Sequence, residues 1–171
     1  MKIKRRARIE VFTLIFIIVA IAFSIFYATR NDIEVSVPAD HYSLNEIDFG
    51  KEHRVIKTLE DPPIDAAPYK GILLASEKYN AEIEMYYWKS DTPEEAKNLW
   101  KDIWLIYGDN LGNKGKIEKA EYTFGYLEQF ETTFYFWQKS VWTFFTEIDR
   151  YLTDKEKEDF LKNIIPEEFS K

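Results

Sequence analysis

Residues 81–108 read AEIEMYYWKSDTPEEAKNLWKDIWLIYG. Their first nine residues alternate, with Ile83, Met85 and Tyr87 pointing one way and Glu82, Glu84, Tyr86 and Trp88 the other, the period of two expected of a strand. Three residues later the period changes. Thr92 is placed to cap a helix, Pro93 suits a first turn whose amides have no partner anyway, and Glu95 completes a capping box three residues after the cap. Ala96, Leu99, Trp100, Ile103, Trp104 and Tyr107 then recur every three or four residues as one apolar stripe, until Gly108 ends it. Glu95, Lys97, Asn98, Lys101 and Asp102 take the solvated side.

Before this unit, Ile72–Ala75 is a short apolar run joined through Glu77–Asn80 to the strand at Ala81, which predicts a β-hairpin. After it, Asp109–Lys116, DNLGNKGK, reads as a turn-rich connection. Ile117–Leu127 alternates again, with Tyr122, Phe124 and Tyr126 on one face. Phe130–Trp137 and Val141–Ile148 are β-prone runs dense in aromatic residues and Thr, with Gln138–Ser140 turning between them. Thr153 with Glu156 forms a second capping box, Phe160, Leu161, Ile164 and Ile165 follow at helical spacing, and Pro166 stops the helix. This order predicts an α+β fold over residues 70–171: an antiparallel sheet of about five strands with two helices packed on one face.

The N-terminal part reads differently. Val11–Ala28, VFTLIFIIVAIAFSIFYA, holds no charge over 18 residues and as a helix would reach about 27 Å, close to the hydrocarbon thickness of a bilayer. Lys2, Lys4, Arg5, Arg6 and Arg8 precede it and Arg30, Asp32 and Glu34 follow, an asymmetry that places the N-terminus in the cytoplasm. The expectation is a single-pass signal-anchor: a basic cytoplasmic tail over 1–10, a transmembrane helix over 11–28, and an extracytoplasmic domain at the cell membrane, with the lipid bilayer as a partner of residues 11–28. A cleaved signal peptide is the alternative, since small-x-small sites stand at Ala20-Ile21-Ala22 and Ala22-Phe23-Ser24, although the apolar run continues past both. Residues 29–69 are expected to form a stalk and linker. Asn31–Leu59 mixes short apolar alternations, such as Ile33, Val35 and Val37, with polar residues and reads as a stalk leading into one or two edge strands, and the three prolines of EDPPIDAAPY (60–69) remove backbone donors.

Glu10 just before FTLIFIIVAIAF resembles the N-terminal helix of type IV pilin-like proteins. The resemblance covers about the first 28 residues and implies a structural subunit that assembles through that helix. Those proteins carry a small residue, often Gly, at the cleavage point and an acid five residues later inside the apolar run, whereas here Glu10 precedes the run and no Gly is near.

Residues 31–171 hold 17 Lys or Arg against 29 acids. A domain this negative is repelled by nucleic acid, so nucleic-acid binding is not expected. The chain has no Cys, which removes thiol nucleophiles, Cys-based metal sites and disulfides. His41 and His53 are its two histidines; twelve residues apart, they match no ligand spacing, and no serine elbow accompanies them. Neither cofactor, metal nor catalytic residue is expected. Gly108-x-x-x-Gly112-x-x-Gly115-Lys116 fails as a phosphate loop: Ile117 stands where a Ser or Thr would hold magnesium, and the loop runs from helix to strand, the reverse of the required order.

The surplus is aromatic, with 5 Trp, 11 Tyr and 13 Phe. Trp100 and Trp104 belong to the helix stripe and hence to the core. Tyr86, Trp88, Tyr135, Trp137 and Trp142 form a candidate binding face for an unidentified protein or ligand, because flat amphipathic rings bury large area at low entropic cost. The competing reading is that one face of the sheet is core and the other is covered by the chain's own N-terminal segment. Function is thus expected to be that of a non-catalytic binding or accessory subunit. The alternatives are the pilin-like subunit and, with less support, a carboxylate-dependent hydrolase.

Overall fold

The computed structural model describes residues 33–66 and 68–170. The two capping boxes form as the sequence predicts. Thr92 accepts from the Glu95 amide and Glu95 reaches back to the Thr92 amide, opening helix α1 (Pro93–Tyr107). Thr153 and Glu156 do the same for helix α2 (Asp154–Asn163). Each box satisfies two of the four amides that a helix start leaves without intrahelical partners.

Seven strands, rather than the expected five, build one antiparallel sheet: β1 (His53–Leu59), β2 (Tyr69–Ser76), β3 (Ala81–Lys89), β4 (Asn113–Glu118), β5 (Tyr122–Gln129), β6 (Thr132–Lys139) and β7 (Trp142–Ile148). The spatial order is β1-β2-β3-β7-β6-β5-β4. Two meanders therefore meet at the β3–β7 pair, and α1 carries the chain from the centre of the sheet to its far edge. The additional strands are the two edges. The letters of β4, NKGKIE, hold two Lys and a Gly and read mostly as turn, whereas β1 lies in the 31–59 stretch expected to lead into one or two edge strands. An edge strand need bury little, so its apolar alternation is faint.

The helices do not share a face. Cross-strand pairing fixes the sides: Tyr86 opposes Phe145 and Trp88 opposes Thr143, while Tyr87 opposes Phe144. On the first side α1 seats Trp100, Ile103 and the half-buried Leu99, Trp104 and Tyr107 against Tyr86, Trp88, Phe134, Phe136 and Phe145. Two polar bonds lock it there, Trp100 Nε1 to the Phe136 carbonyl at 3.0 Å and Thr143 Oγ1 to the Ala96 carbonyl at 3.0 Å. On the second side α2 contributes Phe160, whose ring lies 5.9 Å from Tyr135 and 6.3 Å from Trp137. The expectation of two helices on one face is corrected accordingly: a sheet with seven strands and many aromatic residues has two apolar faces, and each must be covered.

What shares the second face with α2 is the expected stalk. Val35, Val37, Ile47 and Phe49 are all buried. The Ser36 amide donates to the Leu161 carbonyl at 2.7 Å, and the Tyr87 hydroxyl donates to the Leu44 carbonyl at 3.2 Å. The proline segment folds over the first face: Ile64 and Ala66 pack on the α1 cluster, and Trp88 Nε1 donates to the Ala66 carbonyl at 2.9 Å. The compact unit accordingly runs from Glu34 to Lys171 instead of beginning at residue 70.

The expectation of a single-pass membrane protein also needs correction. Among the described residues no helix is long and apolar enough to cross a membrane. The segment 11–28, on which that localisation and the pilin-like resemblance rest, lies outside the described residues, as do the basic tail and the two small-x-small sites.

Candidate functional site

The five aromatic residues that the sequence offers as a binding face do not form one. Tyr86 and Trp88 point to the α1 side of the sheet, and Tyr135, Trp137 and Trp142 to the α2 side. None is more than 6% exposed. Trp137 stacks on Phe144 at 4.9 Å, nearly parallel, and its indole N–H donates to the Ser36 carbonyl at 3.0 Å. Burial pushes the Tyr86 hydroxyl up to about 12, with Glu84 and Asp61 adding to the shift. These rings are core, each contributing large buried area.

Two groupings of titratable residues bear on a candidate site. Near the start of β1, His53 is buried and stacked on Tyr79 at 5.7 Å, with Nδ1 lacking a hydrogen-bond partner among the described residues. Desolvation holds its pKa below the usual histidine value. The Tyr79 hydroxyl donates to Asp159 at 2.8 Å, Lys78 pairs with the same carboxylate at 2.8 Å, and Asn163 donates to its other oxygen at 2.9 Å. This network staples α2 to the β2–β3 turn. Its members spend their hydrogen bonds on one another, which is a structural use of polar groups. His41 is exposed, with its ring against Tyr42.

The second place is the centre of the sheet, where Glu84 of β3 stands directly opposite Glu147 of β7. Like charges at opposed positions destabilise a sheet. Burial, and then Glu84, raise the Glu147 pKa above the ordinary carboxylate value. A raised folded-state pKa means that the folded chain binds this proton more tightly than the unfolded one. The favourable contribution is therefore complete below about pH 4.5 and is lost as pH rises through the raised value. Glu147→Gln is expected to stabilise the domain by about 0.5–1 kcal/mol at pH 7 and by much less at pH 4. Urea unfolding at the two pH values measures the difference, and an equal gain at both would show that charge is not the cause.

Among the described residues no group of three His, Cys, Asp or Glu is placed to hold a metal ion. An open groove of about 790 Å³ runs between the 34–40 segment and the C-terminal residues 162–170. Polar groups at its rim are engaged with one another, Lys162 with Glu34 at 2.7 Å and Ser140 Oγ with Asp40 at 2.7 Å. The Gly108–Lys116 connection is closed at its centre by Lys114, whose ammonium donates to the Gly108 and Asn110 carbonyls at the end of α1.

A different surface stands out at the corner where α1, β4 and the β5–β6 turn meet. Leu105 is 67% exposed, Leu111 92% and Phe130 89%. Leu111 and Phe130 belong to neighbouring chain ends: Asn113 pairs with Glu128, and Gly112 lies against Gln129, one residue short of Phe130. The β5–β6 connection has two residues, Phe130 and Glu131, both at positive φ (51° and 66°). Such a turn is ordinarily made by Asn-Gly. An aromatic residue held in the left-handed region with its ring in solvent costs stability and hides nothing, and a strained residue of that kind is a reason to look for function. The sequence does not announce this corner, because QFET shows no turn signature and Phe130 reads as the first residue of a strand.

The sequence matches no protein-family model and no curated protein. Among solved structures, the chain is similar to the crystal structure of a GTP binding regulator from Thermotoga maritima, with a TM-score of 0.59 at 19% identity, covering 82% of this chain and 100% of that one. At that identity the likeness shows the fold alone.

Proposed function

We propose that this chain is a non-catalytic binding domain that engages a protein partner through the corner formed by Leu105, Leu111 and Phe130. The observation that carries the reading is Phe130, an exposed ring on a turn whose backbone favours Asn. Large apolar side chains left in solvent mark interaction sites, and Leu111 and Phe130, on neighbouring chain ends, are the two most exposed of these among the described residues. Tyr86, Trp88, Tyr135, Trp137 and Trp142 are absorbed by the two faces of the sheet and are not available for recognition.

GTP binding, the property in the description of the similar solved structure, is not carried over. Phosphate sites use the amides of a helix N-terminus. The glycine-containing loop here leaves the C-terminal end of α1, where carbonyls face outward and Lys114 already caps them. The hydrolase reading retains the Glu84–Glu147 pair, whose position in the middle of the sheet serves it poorly.

The test is photo-crosslinking of the full chain in its own cell, with a photoreactive amino acid at position 111 and, separately, at exposed Glu94 on the far end of α1. A discrete heavier species from position 111 and none from position 94 is the expected result. A correctly folded chain that crosslinks to nothing at position 111 would overturn the reading.

A further inference from the structure

The corner lies at one end of a free sheet edge, and the charges along that edge differ from those of the domain around it. Residues 97–119 hold five Lys against three acids, within a domain whose balance is strongly acidic. Lys97 and Lys101 both lie close enough to Glu118 of β4 to lower its pKa, behind the larger effect of its hydrogen bond with Lys116. The Lys116 ammonium also stands 5.6 Å from the Trp104 ring centre. The flank of α1 that faces β4 therefore carries Lys97, Lys101 and Leu105 at four-residue spacing. The far end of β4 is basic and the near end is apolar, through Leu105, Leu111 and Phe130.

Among the described residues β4 pairs with β5 on one side alone, which leaves half of its backbone donors and acceptors on the outer side. We infer that this edge accepts an extended acidic peptide segment as an eighth strand, its carboxylates toward Lys101 and Lys116 and an apolar residue seated among Leu105, Leu111 and Phe130. Strand addition of this kind takes affinity from main-chain hydrogen bonds and specificity from side-chain complementarity. The inference deepens the binding-domain reading and rests on it.

A second copy of the chain is the less suited occupant. The opposite edge, β1, carries Arg54 and Lys57 and no acid, so pairing β4 with β1 of another copy brings the lysines of β4 against like charges. Lysines alone also serve to blunt an edge. They do not account for two apolar side chains close to fully exposed nearby, Leu111 just before β4 and Phe130 in the adjoining β5–β6 turn. The Lys116–Glu118 pair, at 2.9 Å and half exposed on both sides, is of the kind that contributes little and can be exchanged for a partner's carboxylate.

The test uses the full chain and two fluorescein-labelled synthetic nonapeptides, EVEVEVLFG and KVKVKVLFG, followed by anisotropy in 150 mM salt, where charge repulsion beyond about 8 Å is screened. The acidic peptide is expected to bind at least tenfold more tightly than the basic one. N-methylation of alternate amides on one edge of the peptide should weaken it more than tenfold. Lys101→Glu and Lys116→Glu should each weaken it several-fold.

Phe130→Asn separates recognition from folding. It should raise the melting temperature by about 2–4 °C, because Asn accepts the left-handed turn, and weaken the acidic peptide several-fold. Amide shifts on titration should centre on residues 113–118. Equal binding of the two peptides, or shifts centred on the 34–40 groove, would overturn the inference. So would a concentration-dependent dimer whose β4 amides shift without peptide, since the occupant would then be a second copy. If position 111 crosslinks a partner in the cell while the acidic peptide fails, the strand-addition inference falls and the binding-domain reading stands. If the position 111 crosslink is absent as well, both fall.

Discussion

Trp137→Ala is expected to destabilise the domain by about 4 kcal/mol, within the range of about 3–5 kcal/mol typical of removing a large buried aromatic ring. Trp137 is fully buried on the α2 side of β6. Its ring is stacked on Phe144, meets Phe160 edge-on at 6.3 Å, and donates a hydrogen bond to the Ser36 carbonyl. Truncation removes the contacts between three parts of the chain at once: the sheet, α2 and the 34–50 segment. It also leaves the Ser36 carbonyl short of a donor. A domain of this size is stable by roughly 5–15 kcal/mol, so the loss is a large share of the total. Trp137→Phe keeps most of the apolar volume and should lose about 1–2 kcal/mol, mainly for the carbonyl left unpaired. Urea denaturation measures both. A loss below about 1 kcal/mol for the alanine variant would mean that Trp137 is a surface platform after all, as its sequence context allows.

The burial of Trp137 is a property of the whole sheet, and other features are legible from a few neighbouring letters. The capping boxes at Thr92 and Thr153 are, because a cap is a local device whose residues stand three apart and whose hydrogen bonds need nothing from the rest of the chain. So is the division of β3 into an Ile83, Met85, Tyr87 face and a Tyr86, Trp88 face, since alternation is built into an extended backbone. The side of the sheet on which each helix settles is not local. α1 and α2 have similar apolar stripes, and only the cross-strand register decides that Trp100 meets Phe136 while Phe160 meets Tyr135 and Trp137.

Register also undoes the candidate binding face. Tyr86 and Tyr135 share a face in one register and lie on opposite faces in another, and a one-residue slip exchanges them. The edge strands are faint for a different reason, β1 being expected only as an edge strand somewhere in 31–59 and β4 reading as turn. β1 and β4 pair on one side and carry Arg54, Lys57, Lys114 and Lys116, so the composition that protects an edge also removes the signal that identifies a strand. Phe130 does not stand out in the sequence because what singles it out is a backbone angle, which the letters QFET do not express.

Gly125→Val is expected to be the second most damaging substitution, at about 3 kcal/mol, for the opposite physical reason. Here the core is overfilled and no cavity is made. Gly125 sits in β5 directly opposite Phe136. A Cβ added there would lie 2.8 Å from Phe136 Cδ2 and 3.0 Å from Trp104 Cε3, with Phe136 Cε2 closer still. The glycine is what allows α1 to lie close on this part of the sheet, with Trp104 and Phe136 leaning into the space a side chain would take. A β-branched residue, ordinarily favoured in a strand, must push both rings aside. Phe136 has no room to retreat, since it also packs on Trp100 and Phe145. The whole of α1 must then rise, which loosens the hydrogen bond from Trp100 Nε1 to the Phe136 carbonyl. The expected signature is a loss of stability in urea together with a change in tryptophan emission as Trp100 and Trp104 separate from the sheet. The double variant Gly125→Val with Phe136→Ala should recover part of the loss, because the second change vacates the volume that the first one needs. Independent, additive losses from the two substitutions would show that Phe136 does not occupy the space above Gly125, and that α1 approaches the first face of the sheet by some other contact.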